Sequence, residues 1–133
     1  MNMCEKTIIY SVECKDAGIS NIYVGRTTCF DNRHKRHEYS SHSSDLKLYK
    51  FIRKHGGWTN WDMKVLSEVS CKNRGEAALE EMYWYFKLKP SLNSIIPGIN
   101  YFKRSIDNDS LYDSRKEVLN RIVSITMWPK LIS

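Results

Sequence analysis

Residues 7–14, TIIYSVEC, read with a period of two: Ile8, Tyr10, Val12 and Cys14 fall on one side of an extended chain, and Ile9, Ser11 and Glu13 on the other. Such a pattern suits a half-buried β-strand. The turn-rich link KDAGIS follows, of a length found in hairpins, and a second apolar run, NIYVG, returns to stop at Gly25, where the chain can bend or come close to a ligand. Two antiparallel strands are therefore expected at the N-terminal end.

Beyond Gly25 the chemistry changes abruptly. Thr28 and Asp31 have capping-box-like spacing for a helix over residues 30–40, on which Arg33, Arg36 and His37 lie at i, i+3 and i+4 and share one face. A second helix is expected over 46–55, with Leu46, Tyr49 and Phe51 or Ile52 as its apolar stripe and Gly56-Gly57 as its end. WDMKVLSEV alternates again and marks a third strand whose phase slips near Leu66. A helix over 75–89 has Ala78, Met82, Tyr85 and Phe86 on its core face and is stopped by Pro90. Leu111, Val118, Leu119, Ile122 and Ile125 then recur at helical spacing in a further helix.

At 133 residues the chain has room for one core. Hydrophobic residues at 41% and charged residues at 27% place it among globular proteins and against disorder. No apolar run reaches the roughly 18 residues of a membrane helix, and the N-terminus lacks a secretion pattern, so an intracellular protein with no membrane association is expected. The four cysteines lack both C-x-x-C spacing and scaffold density, and reduced thiols are expected. Cys29, His34, His37 and His42 are close in sequence, but their spacing fits no common zinc pattern. The net charge of +6 is concentrated between residues 24 and 55, with eight Lys or Arg against three Asp or Glu, together with all four histidines. That footprint fits either a solvated helix face or a polyanion partner, nucleic acid first.

Hydrolysis of a phosphodiester needs a cation against the charge growing on the phosphorane, a hard oxygen ligand for a metal, and a proton acceptor for the attacking water. Arginine suits the first task, because its planar fork stays charged and grips two phosphate oxygens. Glutamate suits the second, since Mg²⁺ prefers oxygen ligands. Tyrosine suits the third if nearby positive charge lowers its pKa from about 10, and Arg26, three residues after Tyr23, is a candidate source of that charge. Taken alone, Tyr10 and Tyr23 read as plain strand aromatics, and Glu81 as a surface carboxylate.

In order along the chain stand IIY at 8–10, YVG at 23–25, Arg33 and then His37, HSS at 42–44, KHG at 54–56, Glu81 leading EMYWY, and LKPSLN with Asn93. The ordered set resembles the GIY-YIG nuclease family, phage homing endonucleases in particular, over about residues 7–95, with Ile8 in the place of the first glycine of the signature. The resemblance implies an α/β (α+β) fold, a small three-stranded antiparallel sheet flanked by helices, and metal-dependent endonucleolytic hydrolysis of DNA. By the same resemblance Arg33 stabilises the transition state, Glu81 holds one Mg²⁺ or Mn²⁺, Tyr10 and Tyr23 place or deprotonate water, His37 assists proton transfer, Arg26 matches a position that is often lysine, and Asn93 steadies the site.

Gly25 is expected to let phosphate approach. Lys35, Arg36, His42, Lys47, Lys50, Arg53 and Lys54 are expected to contact the DNA, phosphate contacts positioning it without reading sequence. The domain is expected over 1–98, with 99–133 as a C-terminal helical extension packed on it. The roughly 40 residues after Asn93 are fewer than a separate DNA-reading domain needs, so weak sequence preference is expected, or specificity from a protein partner or from a homodimer through the C-terminal helix. Two alternatives are a nucleic-acid-binding module that has lost catalysis and a nuclease subunit that depends on a partner.

Overall fold

The computed structural model describes residues 6–97. These run as β1 (Lys6–Cys14), β2 (Ile22–Thr27), α1 (Phe30–Ser41), α2 (Lys47–Lys54), a short 3-10 turn at Trp58–Asn60, β3 (Trp61–Ser70) and α3 (Arg74–Leu88). They divide into two compact units, residues 6–70 with 90–94, and residues 71–89 with 95–97, so α3 belongs to the second. The C-terminal helix expected from the sequence lies outside the described residues.

The sheet has the order β2-β1-β3, both pairings antiparallel. Being central, β1 is buried on both faces, with Thr7, Ile9 and Ser11 on one and Tyr10 and Val12 on the other. Alternation alone points to a half-buried strand, but Ile9 breaks the polar side of the pattern, as a middle strand requires. The phase slip expected near Leu66 is a bulge: Ile9 stands opposite Ser67 and Tyr10 opposite Val65, leaving Leu66 without an opposite residue.

One face of the ribbon carries the main core, Tyr10, Val12, Leu48, Tyr49, Ile52, Trp58, Trp61 and Leu92. Full burial of each aliphatic side chain is worth roughly 1.5–3 kcal/mol against exposure. Leu46, expected in the stripe of α2, instead precedes the helix and is exposed, and Leu48 takes its place. The turn into α1 also differs from expectation. Cys29 is the N-cap with no side-chain bond, and the hydroxyl of Thr27, not Thr28, accepts from the Cys29 amide at 3.0 Å. Gly56 and Gly57 have φ of 95° and 78°, the left-handed region glycine tolerates, and there α2 ends.

In the second unit the side chain of Asn73 caps α3 by accepting from the Glu76 amide at 2.9 Å, while Glu76 accepts from the Lys72 amide at 3.0 Å. Ala78 and Met82 are buried as expected, but Tyr85 and Phe86 are only half-buried, and Ala77, Leu79 and Glu81 are buried in their stead. Lys89 adopts the left-handed conformation at the C-cap, and Pro90 prevents continuation.

Candidate active site

Residues directly opposite in an antiparallel pair share a face of the sheet. Tyr10 stands opposite Gly25, and Tyr23 opposite Val12, so Tyr10, Tyr23 and Gly25 face the same side. A Cβ built on Gly25 would lie 2.6 Å from the phenolic oxygen of Tyr10 and 2.9 Å from the ring of Tyr23. Glycine is required here because the phenol of Tyr10 lies across the β2 backbone. This corrects two expectations: β2 does not stop at Gly25 but runs to Thr27, and Gly25 is buried beneath the two tyrosines instead of open to a phosphate.

Helix α1 brings two polar side chains to these phenols. Arg33 Nε donates to Tyr10 Oη at 3.1 Å, and His37 Nε2 lies 2.7 Å from the same oxygen. The ring of His37 sits 5.6 Å from both Tyr10 and Tyr23, centroid to centroid, and stacks on Trp58 at 6.0 Å. Its other nitrogen, Nδ1, lies 2.7 Å from the hydroxyl of Tyr49 on α2. A continuous polar line thus runs Arg33, Tyr10, His37, Tyr49 through the core of the first unit. Helical spacing alone makes Tyr49 part of an apolar stripe. The signal that marks it as more is its own hydroxyl, which needs a partner once the ring is buried.

Electrostatics follow from this geometry. Burial pushes the pKa of His37 from its ordinary 6.5 down to about 4, helped by the charge of Arg33 and, less, by His34 and Arg36, so the imidazole is neutral. Partial burial works against the charge on Arg33, but the phenols of Tyr10 and Tyr23 outweigh it, and its pKa is raised. Burial raises the Tyr49 phenol, against smaller opposing effects of a hydrogen bond with Ser40 and the charges of Arg33 and Arg36.

Arg26 is the main departure. It stands opposite Ile9, on the other face of the sheet from the two tyrosines, because Tyr23 and Arg26 are an odd number of residues apart. The cation set against the phenols is Arg33. Arg33, Arg36 and His37, expected on one face of α1, are graded in depth: half-buried, exposed and buried.

Asn93 works on the backbone. Its side-chain oxygen accepts from the Val24 amide at 3.0 Å and its nitrogen donates to the Val24 carbonyl at 2.9 Å. With the Leu92 amide on the Ile22 carbonyl at 3.0 Å, this saturates the open edge of β2 between the residues that flank Tyr23. Glu81 lies on α3 in the second unit and is buried, whereas its neighbour Glu80 is half-buried. Among the described residues no group of three or more His, Cys, Asp or Glu could share a metal ion. The donors suit a hard cation held through one carboxylate and otherwise by water.

Lys35, Arg36, His42, Lys47, Lys50 and Lys54 are exposed along α1 and α2. Arg53, also expected to meet phosphate, spends its guanidinium on the chain itself, donating to the carbonyls of Ser41 and Ser44 at 2.8 Å each. No helix of the described residues is long and apolar enough to cross a membrane.

A family model for the GIY-YIG catalytic domain matches residues 6–93. No curated protein and no solved structure gives a significant match. The matched span runs from the first strand to the asparagine that seals β2, and includes the paired tyrosines, the glycine between them, and Arg33 and His37. Members of that family are nucleases acting on DNA, and this chain, matched over about two thirds of its length, belongs to the GIY-YIG family.

Proposed function

We propose that the protein is a metal-dependent DNA endonuclease that hydrolyses phosphodiester bonds. The observation that carries this reading is the line from Arg33 through Tyr10 to His37, in which one phenolic oxygen meets a guanidinium at 3.1 Å and an imidazole at 2.7 Å. Arg33 keeps its charge and offsets the negative charge that grows on the phosphorane. Tyr23, half-buried beside the wholly buried Tyr10 at 6.3 Å between ring centroids, orients the attacking water. As water adds to phosphorus, the bond from phosphorus to the leaving sugar oxygen breaks, and that oxygen takes its proton from solvent water. The attacking water's proton passes by way of Tyr23 to the Tyr10 oxygen while the Tyr10 proton moves to Nε2 of His37. Neutral His37 has a lone pair for it, and the burial that keeps the ring neutral means it holds that proton only in passing.

Glu81 is the residue proposed to hold Mg²⁺ or Mn²⁺. When bound, the ion supplies charge neutralisation at the phosphate oxygens. Asn93 holds Tyr23 in register through Val24, and the exposed lysines of α1 and α2 carry the DNA backbone.

The test is cleavage of supercoiled plasmid with Mg²⁺, Mn²⁺ or EDTA by the wild type, Arg33→Ala and Glu81→Gln. Metal-dependent nicking that both substitutions abolish, with fold and DNA binding retained, is the expected result. Binding without cleavage by the wild type, repeated on branched and nicked DNA, would overturn the reading in favour of a binding module or a partner-dependent subunit.

A further inference from the structure

We propose that Tyr49 is a positioning residue that fixes His37 as the tautomer protonated at Nδ1, so that Nε2 is left as the acceptor for the Tyr10 hydroxyl. The catalytic half of this inference rests on the nuclease reading; the tautomer itself does not.

Tyr49 comes from a different helix than His37 and reaches the imidazole from the side opposite Tyr10, at 2.7 Å on Nδ1 against 2.7 Å on Nε2. A neutral imidazole has one N–H and one lone pair, and which nitrogen bears the proton is set by what each meets. Two arrangements satisfy the distances. In one, Tyr10 donates to Nε2 and Nδ1–H donates to Tyr49. In the other, both arrows reverse.

The guanidinium of Arg33 decides between them. It lies on the Tyr10 side, donating to the same oxygen, and is the largest charge felt by the ring. The imidazole dipole is lower in energy with its lone pair toward that cation and its N–H away from it. The line then reads as one directional chain of donors, Arg33 to Tyr10 to His37 to Tyr49. Packing holds the ring in this orientation, with Trp58 stacked on it and Tyr10 and Tyr23 edge-on. Without the Tyr49 oxygen, Nδ1–H would be a buried donor with no acceptor there, and the other tautomer would gain ground.

The experiment is long-range ¹⁵N–¹H NMR of the uniformly labelled full chain at pH 7, with His37→Gln used to assign His37 among the four histidines. Alongside it, kcat and KM for plasmid DNA are measured in the wild type and Tyr49→Phe. Expected are a proton on Nδ1 in the wild type, a mixed or Nε2-protonated ring in Tyr49→Phe, and a fall of about tenfold or more in kcat with KM unchanged, the size typical of a group that orients another. A wild-type proton on Nε2, or a Tyr49→Phe protein with both tautomer and kcat unchanged, would overturn the proposal. If Tyr49→Phe does not fold, the wild-type tautomer alone decides it. If the wild type cuts no DNA, the nuclease reading falls while the NMR result still judges the tautomer.

Discussion

The phenolic oxygen of Tyr10 and Nε2 of His37 are 2.7 Å apart, although 27 residues separate them in the chain. Both side chains are almost wholly buried, at 0% and 2% exposure. A buried phenol and a buried neutral imidazole at this distance make an acid and a base that sense each other's protonation, and the consequences can be measured.

The first concerns pH. His37 binds a proton at about 4 in the folded chain and near 6.5 once unfolded. Between those values the unfolded chain binds more protons, so stability rises with pH. The contribution is complete above about 6.5 and is lost as pH falls toward 4, up to about 3 kcal/mol. Urea midpoints recorded from pH 7.5 to 4 should show this slope in the wild type, and a flatter one in His37→Gln even though that variant starts less stable. Parallel slopes would remove His37 as the cause.

Gly25→Ala tests why the glycine is there. The added methyl would sit 2.6 Å from the Tyr10 hydroxyl and 2.7 Å from its ring carbon, and overpacking of this kind costs about 1–3 kcal/mol. A drop in Tm of several degrees is expected, together with loss of cleavage, because Tyr10 has to swing away from Arg33 and His37. Gly18→Ala, with nothing within 4 Å of the new methyl, should leave Tm within a degree or two. Equal effects at both positions would contradict the packing account.

The exposed cations of α2 should divide by role. Lys47, Lys50 and Lys54 flank one shallow groove with Asp45 and Phe51 and are open to a phosphate backbone. Each lysine changed to glutamine should reduce the salt slope of DNA binding by roughly 0.9 for every phosphate no longer neutralised, with Tm nearly unchanged. Arg53→Gln should do the reverse. It removes two bonds to the carbonyls of Ser41 and Ser44 and so about 1–2 kcal/mol of stability, with little change in salt slope. Fluorescence anisotropy at several salt concentrations beside thermal melts separates the two patterns, and a salt slope altered by Arg53→Gln alone would reverse the assignment.

Asn93→Asp keeps the acceptor for the Val24 amide but replaces the donor to the Val24 carbonyl with a carboxylate oxygen, setting two acceptors face to face. It should cost more than Asn93→Ala, which removes two bonds at about 1 kcal/mol each. Hydrogen exchange at the Val24 amide reports the change directly; equal protection in both variants would mean that the edge of β2 is held by something else.

What can be read along the chain is local. The alternation around Tyr10, the slip at Leu66, Gly56-Gly57 and the break at Pro90 each act on neighbouring residues, through side-chain period or backbone dihedrals, and the elements fall within a residue or two of where those signals place them. The order of Tyr10, Tyr23, Gly25, Arg33, His37, Glu81 and Asn93 likewise carries the family.

Tertiary structure decided the partners. Period tells which face a side chain occupies but not what stands across from it. Hence Gly25 reads as an opening for phosphate although Tyr10 lies over it, and Asn93 gives no sign that it completes the edge of β2 from 69 residues away. Arg26 reads as the cation beside the phenols because it is close to Tyr23 in sequence, yet an odd offset on a strand sends it to the opposite face and leaves that place to Arg33 on a helix. Tyr49 passes as one more apolar position, since only the packing of α2 on the sheet brings its hydroxyl to His37.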